Sequence, residues 1–109
     1  FLYRRIVGMI HENTKQSDYI LALPANPEIY FMTQRKNPLR YANAGQGIVS
    51  DTDYVIAKRQ LDTNPPALVL YRATDKYNTR YVSKLMEDLE PQYRQVETIQ
   101  DFAVYIRVP

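Results

Sequence analysis

Two apolar stretches decide the fold of this sequence: Tyr19-Ile20-Leu21-Ala22-Leu23 and Ala67-Leu68-Val69-Leu70-Tyr71. Neither stretch alternates apolar with polar residues, which is typical of short strands that are buried on both faces, as in a parallel sheet. Pro24 ends the first stretch, and Pro65-Pro66 precede the second. Because helical patterns lie between them, we expect two parallel strands joined by a helical crossover.

Helical spacing of apolar residues predicts three longer helices, over residues 1–13, 51–62 and 77–89. Ser50 begins a pattern that resembles a capping box, with Asp53 in place of the usual Glu, so the second of these helices is expected to start just after Ser50. The inward side of that helix is predicted to carry Tyr54, Val55 and Leu61.

A fourth, short helix is predicted directly after the first strand. Asn26 is a favourable N-cap, Pro27 suits the first helical position, and the charge of Glu28 complements the helix dipole. This helix is expected to run through Met32. The residues that follow contain an Asn-Pro pair and two glycines, so residues 35–48 are predicted to form a loop.

The end of the chain has a different period. From residue 102 to residue 108 the side chains alternate between two faces, which predicts a strand. Residues 93–99 are its expected partner, and Gln100-Asp101 is the expected turn of an antiparallel hairpin. The sequence therefore predicts a small layered α/β sandwich. Its mixed sheet would have about four strands, two central parallel strands and a C-terminal antiparallel hairpin, packed by helices.

The composition fits a single domain and excludes several kinds of site. The chain has 109 residues and a mass of 12.8 kDa, which is enough for one α/β domain with its own core. It has no Cys and one His, His11, so neither a Cys nucleophile nor a metal site of Cys and His ligands can be assembled. We therefore expect no catalytic and no metal-binding residues. The net charge of +2 is too small to indicate a nucleic-acid partner.

The segment from residue 24 to residue 41 is the richest in side chains that could bind a ligand. It follows the first predicted strand, and ligands of open α/β sheets bind beyond the carboxyl ends of the strands. Arginines there could bind phosphate or carboxylate groups, and tyrosines could stack on a sugar. The candidate ligand-binding residues are Asn26, Glu28, Tyr30, Arg35, Arg40 and Tyr41. In the competing interpretation, the two arginines pair with acids or loop carbonyls and hold a long connection in place.

The same segment resembles part of a known family. After a strand that ends in Pro come Asn26-Pro27-Glu28-Ile29-Tyr30-Phe31, then Thr33-Gln34-Arg35, and then Asn37-Pro38-Leu39-Arg40-Tyr41. This order resembles the C-terminal soluble domain of bacterial polytopic membrane glycosyltransferases of the dolichyl-phosphate-mannose protein mannosyltransferase type. Gln34 stands where such domains often carry Gly. The likeness extends to the second strand and to the closing hairpin, and so covers most of the chain.

The resemblance implies that the chain is a single domain, residues 1–109, of a larger membrane protein whose upstream helices tether it to the extracytoplasmic face of the cell membrane. The parent would be a glycosyltransferase that uses a polyprenyl-phosphate-linked sugar, with its catalytic acid between early membrane helices. This chain would then be a non-catalytic accessory domain without a cofactor of its own, aiding acceptor binding or capping the active site. Its expected partners are the membrane-embedded portion of the same chain and a sugar or lipid-linked sugar.

Two other functions are compatible with the residues. The chain could be a free-standing module that binds an anionic small molecule through Arg35, Arg40 and the helix that begins at Pro27, because helix N-termini favour anions. It could also be a protein-interaction module, in which the exposed Tyr residues and the Arg-rich loop lie on one surface patch. Both residue types are frequent at the centres of protein interfaces.

Overall fold

The computed structural model describes residues 2–109, which form five α-helices, one short 3-10 helix and four strands. In chain order the elements are α1 (Leu2–Asn13), β1 (Ile20–Leu23), α2 (Glu28–Thr33), α3 (Ala44–Gly47), α4 (Asp51–Thr63), β2 (Leu68–Tyr71), α5 (Arg80–Leu89), a 3-10 turn (Glu90–Gln92), β3 (Tyr93–Ile99) and β4 (Phe102–Arg107). The first predicted helix begins at Phe1, which lies outside the described residues. None of the helices within residues 2–109 is both long and apolar enough to cross a membrane.

The strands form one mixed sheet in the order β1-β2-β4-β3. β1 runs parallel to β2, with Ile20 opposite Leu68, and β4 runs antiparallel to both of its neighbours. The predicted α/β class, with two parallel strands and a C-terminal hairpin, is therefore confirmed. β1, however, lies at an edge of the sheet and not in its centre. It is still buried along its whole length, because the connection after it returns along its outer edge.

Alternate residues of the strands face two helical layers. On one face, α1 and α2 pack against the sheet, and the buried residues there are Ile6, Ile10, Ile20, Ala22, Ile29, Leu68, Leu70, Ile99, Phe102 and Val104. On the other face lie α3, α4 and α5, and the buried residues include Leu21, Leu23, Ile48, Ala57, Leu61, Val69, Val82, Leu85 and Met86. The sheet thus separates two apolar clusters, as the continuous apolar stretches of β1 and β2 require.

Polar side chains fix the starts of three helices. Ser50 accepts a hydrogen bond from the backbone N–H of Asp53, as predicted for α4. Asn43 and Thr79 cap α3 and α5 in the same way, each accepting from the N–H of the residue three positions further on. These caps satisfy N–H groups that a helix cannot satisfy internally.

Three local predictions for α2, α3 and α4 are wrong. Asn26 does not cap α2: Pro27 holds the N-cap position, no side chain makes a capping hydrogen bond, and Asn26 itself has a φ of 72°. The predicted loop over residues 35–48 contains the short helix α3, because Asn43 caps it. Val55 is 52% exposed, since it lies roughly 200° around α4 from the buried Ala57.

Candidate functional site

The carboxyl ends of β1 and β2 lie at one edge of the sheet, because the two strands are parallel. β4 runs the other way, so the hairpin turn that precedes it lies at the same edge. The segments that leave these strands surround an open cleft of about 360 Å³, which we call the carboxyl-edge cleft. Its polar lining residues are Asn26, Glu28, Asn43, Arg72, Asp75 and Lys76.

Arg72 is held by carboxylates on two sides. Its Nε donates to Asp101 Oδ2 at 2.8 Å, and its Nη1 lies 3.7 Å from Asp75 Oδ2. Thr74 Oγ1 donates to the same Asp101 oxygen at 2.9 Å. The hydrogen bond from Arg72, followed by that from Thr74, holds the pKa of Asp101 below its usual value. The guanidinium also lies 5.5 Å from the centre of the Phe102 ring. Arg72 is therefore a fixed cation in the cleft wall.

Asn26 and Glu28 are joined through Tyr3 of α1. Tyr3 Oη donates to Glu28 Oε2 at 2.8 Å and accepts from Asn26 Nδ2 at 3.3 Å. Burial, and then the hydrogen bond to Glu28, raises the pKa of Tyr3, so the hydroxyl remains a donor. Asn26 Oδ1 is buried and has no hydrogen-bond partner among residues 2–109. Such an unpaired acceptor is unusual in a folded protein, and it lies in a residue that lines the cleft.

Tyr77 forms another part of the cleft wall, and α3 fixes its position. Gly45 N donates to Pro24 O at 2.9 Å, and a Cβ added at Gly45 would overlap the backbone oxygen of Tyr77. Tyr77 N in turn donates to Asp75 Oδ1 at 2.8 Å. Its helical spacing predicts Tyr77 within α5, which is wrong: α5 begins at Arg80, and Tyr77 lies in the turn before it.

The six predicted ligand-binding residues do not form one site. Asn26 and Glu28 line the carboxyl-edge cleft. Tyr30 has its hydroxyl turned towards β1, where it accepts a hydrogen bond from Ala22 N at 2.8 Å. Its ring packs against the core cluster under α1 and α2, and burial raises the pKa of its hydroxyl. Tyr30 therefore supports β1 from the side.

Arg35 lies far from the cleft, near the amino end of β1. Its Nε donates to Thr14 Oγ1 at 3.0 Å, its Nη2 to Thr14 O at 3.3 Å and its Nη1 to Thr33 O at 3.2 Å. The next residue, Lys36, pairs with Tyr19 at the amino end of β1. The expectation that the whole segment from residue 24 to residue 41 lies beyond the carboxyl end of β1 is therefore wrong, because the chain turns back after α2.

Arg40 and Tyr41 form a third group, beside the start of α4. The Arg40 guanidinium lies 5.0 Å from the centre of the Tyr41 ring, and its Nη2 donates to the Tyr41 hydroxyl at 2.8 Å. That hydroxyl donates to Asp53 Oδ1 at 3.0 Å. Arg35 and Arg40 thus bind protein groups in two separate places, which is the arrangement of the competing interpretation.

Sequence reasoning missed the second half of the cleft, Arg72, Asp75 and Lys76. These residues follow the second apolar strand directly, so the rule that places ligands beyond the carboxyl ends of parallel strands points to them as well. The hairpin prediction accounts for Asp101 only as a turn residue. Its contact with Arg72 arises because β2 and β4 are neighbours, which the sequence does not reveal.

The carboxyl-edge cleft can both donate and accept hydrogen bonds. Arg72 and Lys76 are donors, and the carboxylates of Glu28 and Asp75 are acceptors. Within the part of the chain that the structure describes, no group of three or more His, Cys, Asp or Glu side chains could hold a metal ion. Comparison of the chain with protein-family models, curated proteins and solved structures finds no match. The function must therefore be inferred from the chemistry of the cleft and from the sequence.

Proposed function

We propose that this chain is a non-catalytic accessory domain of a membrane glycosyltransferase that uses polyprenyl-phosphate-linked sugars. Its carboxyl-edge cleft binds the sugar of the acceptor or of the lipid-linked donor. The membrane-embedded portion of the same chain carries out the transfer, and the domain is tethered by upstream membrane helices on the extracytoplasmic face. The role requires no cofactor of the domain's own.

The observation that carries the proposal is the mixture of donors and acceptors around the cleft. A sugar hydroxyl both donates and accepts hydrogen bonds, so a neutral sugar is matched by carboxylates placed beside cations. Glu28 and Asp75 stand with Arg72 and Lys76 in this arrangement. A phosphate would instead be matched by cations without carboxylates beside them. The balance of charges therefore favours a sugar hydroxyl over a phosphate as the group that is bound here.

The resemblance of residues 26–41 to a glycosyltransferase domain supports the identity of the parent enzyme. The reading frame upstream of Phe1 tests this part of the proposal. We expect it to encode several apolar segments of about 20 residues, the length that spans a bilayer. An upstream region without such segments would contradict the membrane parent and leave the sugar-binding part to its own test.

The sugar-binding part is tested by titrating the ¹⁵N-labelled chain with methyl α-mannoside, a neutral probe, and with glucose 1-phosphate, an anionic one. We expect the neutral sugar to shift the amide signals of residues 25, 26, 28 and 72–77 in a saturable way. Lys76→Ala removes one charged donor from the cleft and should weaken binding about tenfold or more. Saturable shifts by the phosphate alone, centred on Arg35 or Arg40, would favour the anion-binding module instead.

Lys84→Ala is the matched control for this titration. Lys76 Nζ lies 5.2 Å from the centre of the Tyr77 ring, and Lys84 Nζ lies 5.1 Å from the centre of the Tyr54 ring. The two variants therefore remove the same charge from the same kind of contact, one in the cleft and one outside it. An equal loss of binding in both would show that the cleft is not the site.

A protein-interaction module is the second candidate, because tyrosines and cations gather on one surface of α4 and α5. The rings of Tyr54 and Tyr81 are 6.3 Å apart, and the Arg80 guanidinium lies 5.0 Å from the centre of the Tyr81 ring. The hydroxyls of both tyrosines donate to carboxylates of the neighbouring helix. If this surface binds the membrane portion, Tyr81→Ala should weaken that association and leave the sugar titration unchanged.

A further inference from the structure

β3 presents an open edge of the sheet. It is the outer strand beyond β4, and among residues 2–109 it pairs with β4 alone. Its residues Arg94, Gln95, Val96 and Thr98 are exposed. The unpaired backbone N–H and C=O groups along such an edge can form hydrogen bonds with a strand of another molecule.

A bulge in β3 places two opposite charges on the same face. The pairing with β4 shifts between Gln95 and Glu97, so Val96 stands opposite no residue of β4. Side chains three residues apart normally point to opposite faces of a strand. Because of the extra residue, Arg94 and Glu97 stand opposite Ile106 and Val104, which belong to the same core cluster. Both charges therefore lie on the face of the sheet that carries α1.

We propose that β3 pairs with β3 of a second copy of this chain, antiparallel about a two-fold axis, with Arg94 opposite Glu97 of the second copy. The two sheets then form one continuous sheet. The axis passes between Gln95 and Val96, so a single strand supplies both members of two equivalent ion pairs. Opposite charges that face each other across antiparallel strands stabilise the pairing.

Charge complementarity selects this register. A shift of the second copy by two residues in either direction would move Arg94 away from Glu97 and leave both charges opposite other side chains. Within residues 2–109 of the single chain, Glu97 is bound only by Arg5, at 3.5 Å between atoms of side chains that are 64% and 37% exposed. Such an exposed, long ion pair contributes little to stability, so Glu97 can change partner at little cost.

The bulge does not prevent this pairing, although bulges commonly protect sheet edges. Val96 is an extra residue only relative to β4. Both copies carry it, so across the two-fold axis each residue has one partner, with Gln95 opposite Val96 of the second copy. The same feature that interrupts the ladder with β4 therefore allows a complete register between two copies.

Charge reversal tests the proposal. Sedimentation equilibrium over a range of chain concentrations should show a monomer–dimer equilibrium for the wild type. Arg94→Glu or Glu97→Arg alone turns both ion pairs into like-charge pairs and should weaken dimerisation roughly tenfold or more. The double variant, with both reversals, recreates the pairs in the opposite sense and should restore dimerisation. Arg59→Glu, an equal charge change at an exposed position of α4, should have no effect.

Amide hydrogen exchange provides a second measurement that does not depend on the variants. As the chain concentration rises, exchange in β3 should slow, while exchange in the exposed turn that contains Ser17 should not change. A wild type that remains monomeric at all concentrations would overturn the proposal. So would a dimer that neither single reversal weakens, or a double reversal that does not restore it.

Discussion

The two outer strands of the sheet, β1 and β3, differ in whether another segment of the chain covers their outer edges. At the outer edge of β1, Ile20 N donates to Lys36 O at 3.0 Å and Ala22 N donates to the Tyr30 hydroxyl at 2.8 Å. Next along the strand comes Pro24, which has no N–H to satisfy, and whose carbonyl accepts from Gly45. At the outer edge of β3, no segment within residues 2–109 makes such contacts.

This difference explains why the segment after β1 is rich in polar side chains. A single connection covers the edge of β1, and it needs hydrogen-bonding groups to do so. Tyr30 binds β1 directly, and Arg35 fixes the point where the chain turns back. Arg40 and Tyr41 hold the end of the connection to α4. Of the candidate residues, only Asn26 and Glu28 line the cleft.

The largest effect on stability should come from Gly45→Ala. This substitution disturbs the segment that covers the outer edge of β1, at the carboxyl end of that strand. The new Cβ would overlap backbone atoms of Tyr77, which cannot move aside as a flexible side chain could. We expect a loss of about 3 kcal/mol in the free energy of unfolding, the upper part of the usual range for overpacking. Urea denaturation followed by circular dichroism measures it.

Gly8→Ala is the control for this change. Gly8 lies inside α1, and a Cβ there would meet no atom within 4 Å. Since Ala is the better helix former, this variant should be more stable than the wild type by about 0.5–1 kcal/mol. If Gly45→Ala cost less than about 1 kcal/mol, the packing of α3 on the turn before α5 would not be tight.

The fold could be predicted from the sequence to the extent that it depends on local patterns. The apolar stretches of β1 and β2, the cap at Ser50 and the alternation in β4 each specify an element within a few residues. The order of the strands could not be predicted. An apolar stretch of five residues looks the same in a central strand and in an edge strand that a distant segment covers.

About half of the carboxyl-edge cleft could be predicted from the sequence. The rule of the carboxyl edge identifies Asn26 and Glu28 after β1, and applied to β2 it would also identify Arg72 and Asp75. It could not show that Arg35 leaves this edge, because that depends on where the chain turns after α2. The contact between Arg72 and Asp101 depends on long-range strand pairing, which a single sequence does not encode in any local pattern.

Tyr30→Phe should remove the hydrogen bond that covers the middle of the outer edge of β1. Its effect on stability should be smaller than that of Gly45→Ala. The substitution keeps the ring and removes the acceptor of Ala22 N, leaving a buried N–H without a partner. We expect a loss of about 1–3 kcal/mol in the free energy of unfolding and faster exchange of the Ala22 amide.

Tyr105→Phe is the control, because Tyr105 packs on the other apolar cluster and its hydroxyl makes no hydrogen bond within residues 2–109. If exchange at Ala22 rose equally in both variants, the hydroxyl of Tyr30 would not be what covers this edge.

The smallest effect should be a loss of stability at acid pH that results from the protonation of Asp53. Hydrogen bonds from the backbone of Val49, then from Ser50 and Tyr41, hold the pKa of Asp53 below its usual value. A carboxyl whose pKa is lower in the folded than in the unfolded chain stabilises the fold above the unfolded value, about 4, and loses that contribution as the pH falls through the folded value. The melting temperature of the wild type should therefore fall towards that of Asp53→Asn below about pH 4.

Asp62→Asn is the control, because Asp62 is an exposed aspartate in the last turn of the same helix, and this variant should follow the wild-type curve. Since Asp53 holds the end of the connection, acid should lower the protection of the amides of residues 41–50, measured against their intrinsic exchange rates at the same pH, before it lowers the protection of β3. The opposite order would show that the outer edges of β1 and β3 do not differ in this way.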